Sequence, residues 1–386
     1  MKSIKLLIIF ISVHLVFSFL APYFIPPSLF PYLDDLQKSG LPHFLYSFGN
    51  FDGTIYLKIA KSGYLPLTHA FFPLYPISIA AVSYIFQPIL AALTISVLSL
   101  YGVLTMLKKY AIAIGIQDKN IDWLLAAFLV FPTSFYLLGV YTESLFLLVM
   151  ICSLYSMHKK QYLMAFTLSI LTALTRFVGI FLVIPFFFEI LAIYSNSNFS
   201  LSNLLNKIKK NIFPLLPLAG PVVGFSIYSL FLWRTTGDPI RFFNNLPDFQ
   251  TGRQTDLILF PQVMYRYVKI FITAQPNFQY FIAGIEFVIF SSVFAVLMYD
   301  LWKIYKKEYK NLLSRLGLNL FSFANLLLPT FTGTFTSLPR YVLASVSFFI
   351  VLGEIKNKWL KISIFITFAL FHIILFVYFI QGYFVS

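Results

Sequence analysis

Charge is what this chain has least of. Only 11% of its 386 residues are Asp, Glu, Lys or Arg, against roughly 25% in soluble domains. So little charge cannot cover a globular surface, so a separate soluble domain is excluded and one integral membrane unit, 1–386, is expected. The single cysteine, Cys152, lies inside an apolar run. It excludes a disulfide framework and a cysteine-based metal site, and reads as a small buried core residue. The five histidines, His14, His43, His69, His158 and His372, never share the spacing that puts two ligands on one helix face, so no metal is expected. A P-loop, a dinucleotide fingerprint and a nucleophile elbow are all missing, which argues against ATP or a soluble nucleotide-sugar as direct substrate. No cofactor is expected. Tandem repeats and low-complexity tracts are missing too.

What the chain does have is apolar sequence, 59% of its residues, with 47 Phe. Measured against the ~20 residues needed to cross a bilayer, the runs give eleven candidate spans: 4–21, 88–107, 121–138, 141–157, 162–176, 178–194, 212–233, 279–302, 315–332, 338–354 and 360–382. The run at 4–20 follows Lys2 and Lys5 as a signal peptide would, but "APYFIPP" supplies no small-residue cleavage site, so an uncleaved span is expected. The run 71–87 is ambiguous between a span and a helix in the outer interface. The net charge of +14 settles it. The basic residues form short clusters between apolar segments, which is a topology signal and not a nucleic-acid patch. With the N-terminus inside and 71–87 not crossing, most of the 28 lysines and arginines fall in the inner segments 1–5, 108–120, 158–161, 195–211, 300–315 and 354–361. A crossing 71–87 would reverse every later cluster. The sequon at Asn198 then lies inside and escapes glycosylation.

This topology collects the polar, irregular sequence on the outer face. The first outer loop with its interfacial helices, 22–87, holds Asp34, Asp35 and Asp52; "GVYTES" holds Glu143; "LTRFVG" holds Arg176; the second outer loop, 234–278, holds Arg241 in "RTTGDPIRFF"; and "TSLPRY" holds Arg340 and Tyr341. Ionisable groups at membrane depth are costly and are candidates for function. Asp52 leads them. Gly53 after it permits a sharp turn or the close approach of a ligand. Tyr56 to Tyr64 reads as a short surface helix with Tyr56, Ile59, Ala60 and Tyr64 on one face and Lys58 and Lys61 on the other, ended by Gly63. Two readings of Asp52 stay open: a cap on that helix, or a reacting carboxylate. "AFFPLYP", with Tyr75 between its two prolines, is a stiff aromatic anchor that would steady the segment. Glu143 fits either the first turn of a helix or a site. Arg176 and Arg340 either snorkel to the interface or grip a phosphate, a role for which guanidinium is well shaped. Arg340 is the stronger of the two, because no acid near it in sequence pairs with it.

In order along the chain, "NFDGTIYLKIAKSGY" with "AFFPLYP", then "FPTSFYLLGVYTESLFLL", "ALTRFVGIFLVIP", "TGDPIRFF" and "LPRYVL" resemble the signature blocks of the PIG-V family of mannosyltransferases, the family of GPI mannosyltransferase II and its prokaryotic relatives. The resemblance runs from about Asn50 to Leu343. Phe51 stands where the family usually has Trp, and "TRF" where Thr-Arg-Pro is frequent. The resemblance implies an all-α, polytopic GT-C fold and a polyprenyl-phosphate-linked sugar, mannose, as donor. It implies Asp52 as the catalytic aspartate, with Glu143 and Arg340 also at family positions.

The chemistry expected is transfer of a sugar to an acceptor hydroxyl on a lipid-anchored glycan, another glycan or a protein, at the extracytoplasmic face. Asp52 would act as general base. Positive charge, from Arg340 first and Arg176 or Arg241 in reserve, would stabilise the leaving phosphate. Tyr56, Tyr64, Tyr75 and Tyr341 would support the site. No metal is required, since an arginine can do a metal's work at the phosphate. The membrane would be the plasma membrane of a prokaryote or the endoplasmic reticulum of a eukaryote. The competing class is a lipid or solute transporter or flippase, which should show paired halves and mid-span charges. A third is a non-catalytic subunit of the same fold.

Overall fold

The computed structural model describes residues 2–194, 211–249 and 252–385. Asn198 and nearly all of the inner segment 195–211 lie outside them. Every regular element among the described residues is helical. Seven helices are long and apolar enough to cross a membrane: Ser3–Phe24, Pro88–Ala113, Phe177–Tyr194, Phe213–Thr236, Phe278–Tyr305, Leu312–Thr332 and Lys358–Ile380. Each coincides with one expected run. They carry bare apolar side chains outward, such as Ile9, Leu98, Ile227, Val288 and Ile366, as a lipid-facing surface requires.

In chain order the helices are α1 (Lys2–Phe24), α2 (Leu33–Gln37), α3 (His43–Tyr46), α4 (Asp52–Ser62), α5 (Leu74–Val82), α6 (Pro88–Ala113), α7 (Asp118–Val130), α8 (Glu143–His158), α9 (Tyr162–Thr175), α10 (Val183–Tyr194), α11 (Leu216–Thr236), α12 (Arg241–Asn244), α13 (Phe260–Thr273), α14 (Phe278–Tyr305), α15 (Leu312–Leu327), α16 (Leu338–Val342), α17 (Val346–Glu354) and α18 (Lys358–Ile380).

The other four expected spans are short or broken. The α-helix of the run 121–138 ends at Val130, and its remainder holds a short 3-10 turn, Ser134–Leu137, within a stretch leading to Glu143. The run 338–354 is split into α16 and α17. α8 and α9 have 16 and 14 residues. The physical reason is burial. α17 is buried from Val346 to Gly353, and the stretch 131–142 is buried throughout. Backbone shielded from lipid by protein can leave the helix and still find partners. Thr133 donates to the Pro339 carbonyl (2.8 Å), Ser96 to Gly139 (2.7 Å), and Val140 N–H to Phe48 (2.9 Å).

α5, nine residues long, extends about 13 Å, under half the hydrocarbon thickness. By itself it is too short to span, and it packs on the bundle with Tyr75 and Ile79 buried and Ile77 exposed. α9 and α11 pack closely at Gly220 and Gly224, where a Cβ would strike the α9 backbone or Ser169. This is the small-residue contact typical of membrane helices; α9 ends at Thr175, with Arg176 in extended backbone after it. Across the membrane, α1 and α18 meet through His14 and His372, whose Nε2 atoms lie 2.8 Å apart. Two of the scattered histidines thus converge, but no group of three or more metal-ligating side chains forms among the described residues.

The first turn of α15 carries a buried ionic cluster. Asp300 at the end of α14 accepts from Arg315 (3.2 Å), Tyr309 (2.8 Å), Asn319 (3.0 Å) and Ser347 (2.5 Å). Arg315 also reaches Glu354 (3.3 Å) and lies over the Tyr309 ring. The opposite end of α15, roughly 20 Å away along its axis, borders the candidate site.

Candidate functional site

The site is built on segments that leave regular helix. Residues 47–51 form a tight turn ahead of α4. Phe51 takes φ 58°, a conformation costly for a bulky residue. What holds it is visible. Asn50 donates to the carbonyls of Phe379 (2.8 Å) and Ile380 (3.2 Å), Tyr141 donates to the Asn50 carbonyl (2.7 Å), and the Phe51 ring packs on Phe30, Phe379 and Phe384. An aromatic at 51 is therefore a structural requirement.

Asp52 is the first residue of α4, and Phe51 holds the cap position, with no side-chain capping bond. The cap reading of Asp52 is thereby set aside. Its Oδ2 instead accepts from Arg340 Nη1 at 2.9 Å, and about a third of the side chain is exposed (32%). Gly53 serves close packing and not a ligand, because a Cβ there would press on Val140 at 3.3 Å. α4 begins four residues earlier than expected and closes on Gly63, whose φ of 76° and N–H to Ile59 make the predicted end.

Glu143, in the first turn of α8, is buried, and its Oε1 accepts from Arg340 Nε (2.9 Å), Arg340 Nη2 (2.9 Å) and Arg176 Nη1 (2.7 Å). Its Oε2 has no partner among the described residues. Attraction to two guanidinium groups offsets the cost of burying this charge. Arg340 lies over the rings of Tyr136 (4.6 Å) and Tyr141 (4.7 Å), and Arg176 over Tyr341 (4.8 Å). Arg340 has no acidic partner nearby in sequence, yet the fold brings it one 197 positions away and one 288. All three of its nitrogens face carboxylates, so it does not stand as the free phosphate grip expected of it.

A cavity of about 240 Å³ opens beside the cluster, lined by Asp52, Arg176, Arg253, Arg340 and Tyr341, with aromatic walls that include Phe177 and Phe242. It is near the small end of ligand pockets. Tyr56 lines it too. Burial first, then the Asp52 and Glu143 charges, push the Tyr56 phenol above its ordinary value, so it stays a proton donor at neutral pH. Tyr64 and Tyr75 stand outside the lining. Tyr64 donates to the Phe71 carbonyl (2.7 Å), and Tyr75 to the Ala92 carbonyl (3.3 Å), with Ser96 at 3.1 Å. Burial raises the Tyr64 phenol as well. Both brace the wall.

Arg241 is not brought in. It is exposed at the start of α12, and the turn "TGDPIRFF" instead sets Phe242 and Phe243 into the wall, with Asp238 accepting from Ile240 N–H and Asn244. Burial, and then the Arg241 charge, hold the nearby His69 imidazole below its ordinary value, hence neutral at pH 7. Arg253, which no sequence signal singled out, takes the place at the cavity. It sits in a polar tract without periodicity. Phe384, beyond the last recognised block, was equally silent.

Comparison with protein-family models, curated proteins and solved structures finds no match to this chain.

Proposed function

We propose that this chain is a membrane glycosyltransferase. It moves a sugar, mannose by the sequence resemblance, from a polyprenyl-phosphate donor to an acceptor hydroxyl at the outer face. In this reading the four short or broken segments also cross, giving eleven spans in a GT-C arrangement. The observation that carries the proposal is the state of Asp52. One oxygen is held by Arg340, and the other takes no hydrogen bond among the described residues, in a side chain that lines the cavity. A carboxylate so placed is oriented yet able to accept a proton.

The acceptor oxygen attacks the anomeric carbon as its proton passes to Asp52. The bond from that carbon to the phosphate oxygen breaks, and the electron pair leaves with the polyprenyl phosphate. One displacement inverts the anomeric configuration. Arg340 and Glu143 act by positioning, tying the loop before α4 to α8 and α16. Aromatic walls beside a polar floor suit a lipid-linked sugar.

The test is sugar transfer from polyprenyl-phosphate-mannose in proteoliposomes, comparing wild type with Asp52→Asn at matched folding. Asn keeps the size and removes the base, so transfer is expected to fall by about 10²- to 10⁴-fold. Equal rates would sink Asp52 as the base. No transfer by either protein from any polyprenyl-phosphate sugar would return the transporter reading.

A further inference from the structure

The charges around the cavity do not cancel. Two carboxylates, Asp52 and Glu143, face three guanidinium groups, Arg176, Arg340 and Arg253. The carboxylates are engaged by Arg340 and Arg176. Arg253 forms no ion pair among the described residues. Its Nη2 donates to the Thr336 carbonyl at 2.9 Å, and Tyr341 lines the cavity with it. Backbone bonds fix its place, with Gln254 N–H on Thr332 O and Ile258 N–H on Phe331 O, both 3.0 Å. Behind the same loop, Arg266 donates to Gly333 and Glu286 accepts from Tyr267. Neither lines the cavity; Glu286 lies near enough for its charge to act on Arg253 but forms no ion pair with it among the described residues.

Among the groups that line the cavity, one guanidinium is therefore left without a carboxylate in contact with it, facing an aromatic-walled space. Such a charge is costly in apolar surroundings unless an anion joins it. Guanidinium matches phosphate oxygens in shape. An excess of one suits a monoanion: a phosphodiester carries one negative charge, whereas a phosphomonoester or diphosphate carries about two. Phe243, Leu328 and Phe384 add apolar wall for a hydrocarbon chain, and Ser337 and Thr332 line the cavity with Arg253.

We propose that Arg253, with Tyr341 and the 332–337 loop, is the binding site for the phosphate of a prenyl phosphodiester. The proposal rests on the glycosyltransferase reading for the ligand's role, but the site is testable without it. Arg253 then takes the phosphate role that Arg340, already engaged, does not fill.

The experiment is calorimetric titration of the full chain in maltoside micelles with four probes: farnesyl methyl phosphate, farnesol, inorganic phosphate and dioctanoyl phosphatidylglycerol. Wild type is expected to prefer the phosphodiester over farnesol by about 10- to 150-fold, the worth of a hydrogen bond to a charged group. Arg253→Gln should erase that preference while farnesol binds as before. Arg253→Lys, which keeps the charge and loses the fork, should retain part of it and covers the case in which Gln does not fold. A full preference surviving in Arg253→Gln overturns the site. Inorganic phosphate or phosphatidylglycerol binding as tightly as the prenyl diester overturns the ligand class. Arg253-dependent binding without sugar transfer would leave the site standing and remove the transferase reading; undiminished transfer by Arg253→Gln would do the reverse.

Discussion

Two arginine-centred clusters sit at opposite ends of α15 and are made of nearly the same parts. Arg315 stands between Asp300 and Glu354 over the Tyr309 ring; Arg340 stands between Asp52 and Glu143 over Tyr136 and Tyr141. What differs is the bonding capacity left unused. Asp300 has no exposed surface, and both its oxygens are saturated by four donors. Asp52 takes one bond and borders a cavity. An ionisable cluster at membrane depth is therefore not a site by composition. The first reads as a rivet between α14, α15 and α17, and the second as a workplace.

Opposite responses to the same substitution would sharpen this contrast. Asp52→Asn should cost activity by orders of magnitude and leave the melting temperature in detergent nearly unmoved. Asp300→Asn should do the reverse, because it leaves the buried Arg315 with Glu354 as its one remaining carboxylate and sets an amide among four donors, at a cost of about 3 kcal/mol. Thermal unfolding with transfer assayed on the surviving folded fraction checks both, and a rivet that behaved like the workplace would break the comparison. A smaller effect is expected at Gly53→Val. Overpacking against Val140 should destabilise by about 1–3 kcal/mol and displace Asp52 from Arg340, so here transfer and stability should fall together. Smallest is Tyr56→Phe, which removes one polar hydroxyl from the cavity wall and should cost at most about 1 kcal/mol, read as a modest shift in denaturant midpoint.

The legible part of the fold was the part that faces lipid. The runs at 4–21 and 88–107 became α1 and α6 because a helix that must satisfy its own backbone in hydrocarbon announces itself by length and composition. The runs 121–138 and 338–354 looked alike in sequence and broke in the structure, because hydropathy does not distinguish burial in lipid from burial in protein. The run 71–87, read from charge as not crossing, holds only the nine-residue α5 as regular helix. At the site, Asp52, Glu143, Arg176 and Arg340 stood out as ionisable residues in apolar surroundings and do converge. Their pairing was illegible, since the partners of Arg340 lie hundreds of positions away. Arg241 and Arg253 show the same limit: both are arginines in one polar loop, and only packing decides which faces the cavity.

The ties from Asn50 to Phe379 and Ile380 have a consequence for biosynthesis. As the chain threads from the ribosome into the membrane, the segment around Asp52 is made long before α18. Until then the Asn50 amide lacks its two carbonyls, and Phe51 lacks the rings of Phe379 and Phe384 that restrain its left-handed backbone. A nascent chain thus carries its key carboxylate in an unformed state, and competence arrives only when the last helix locks beside the first.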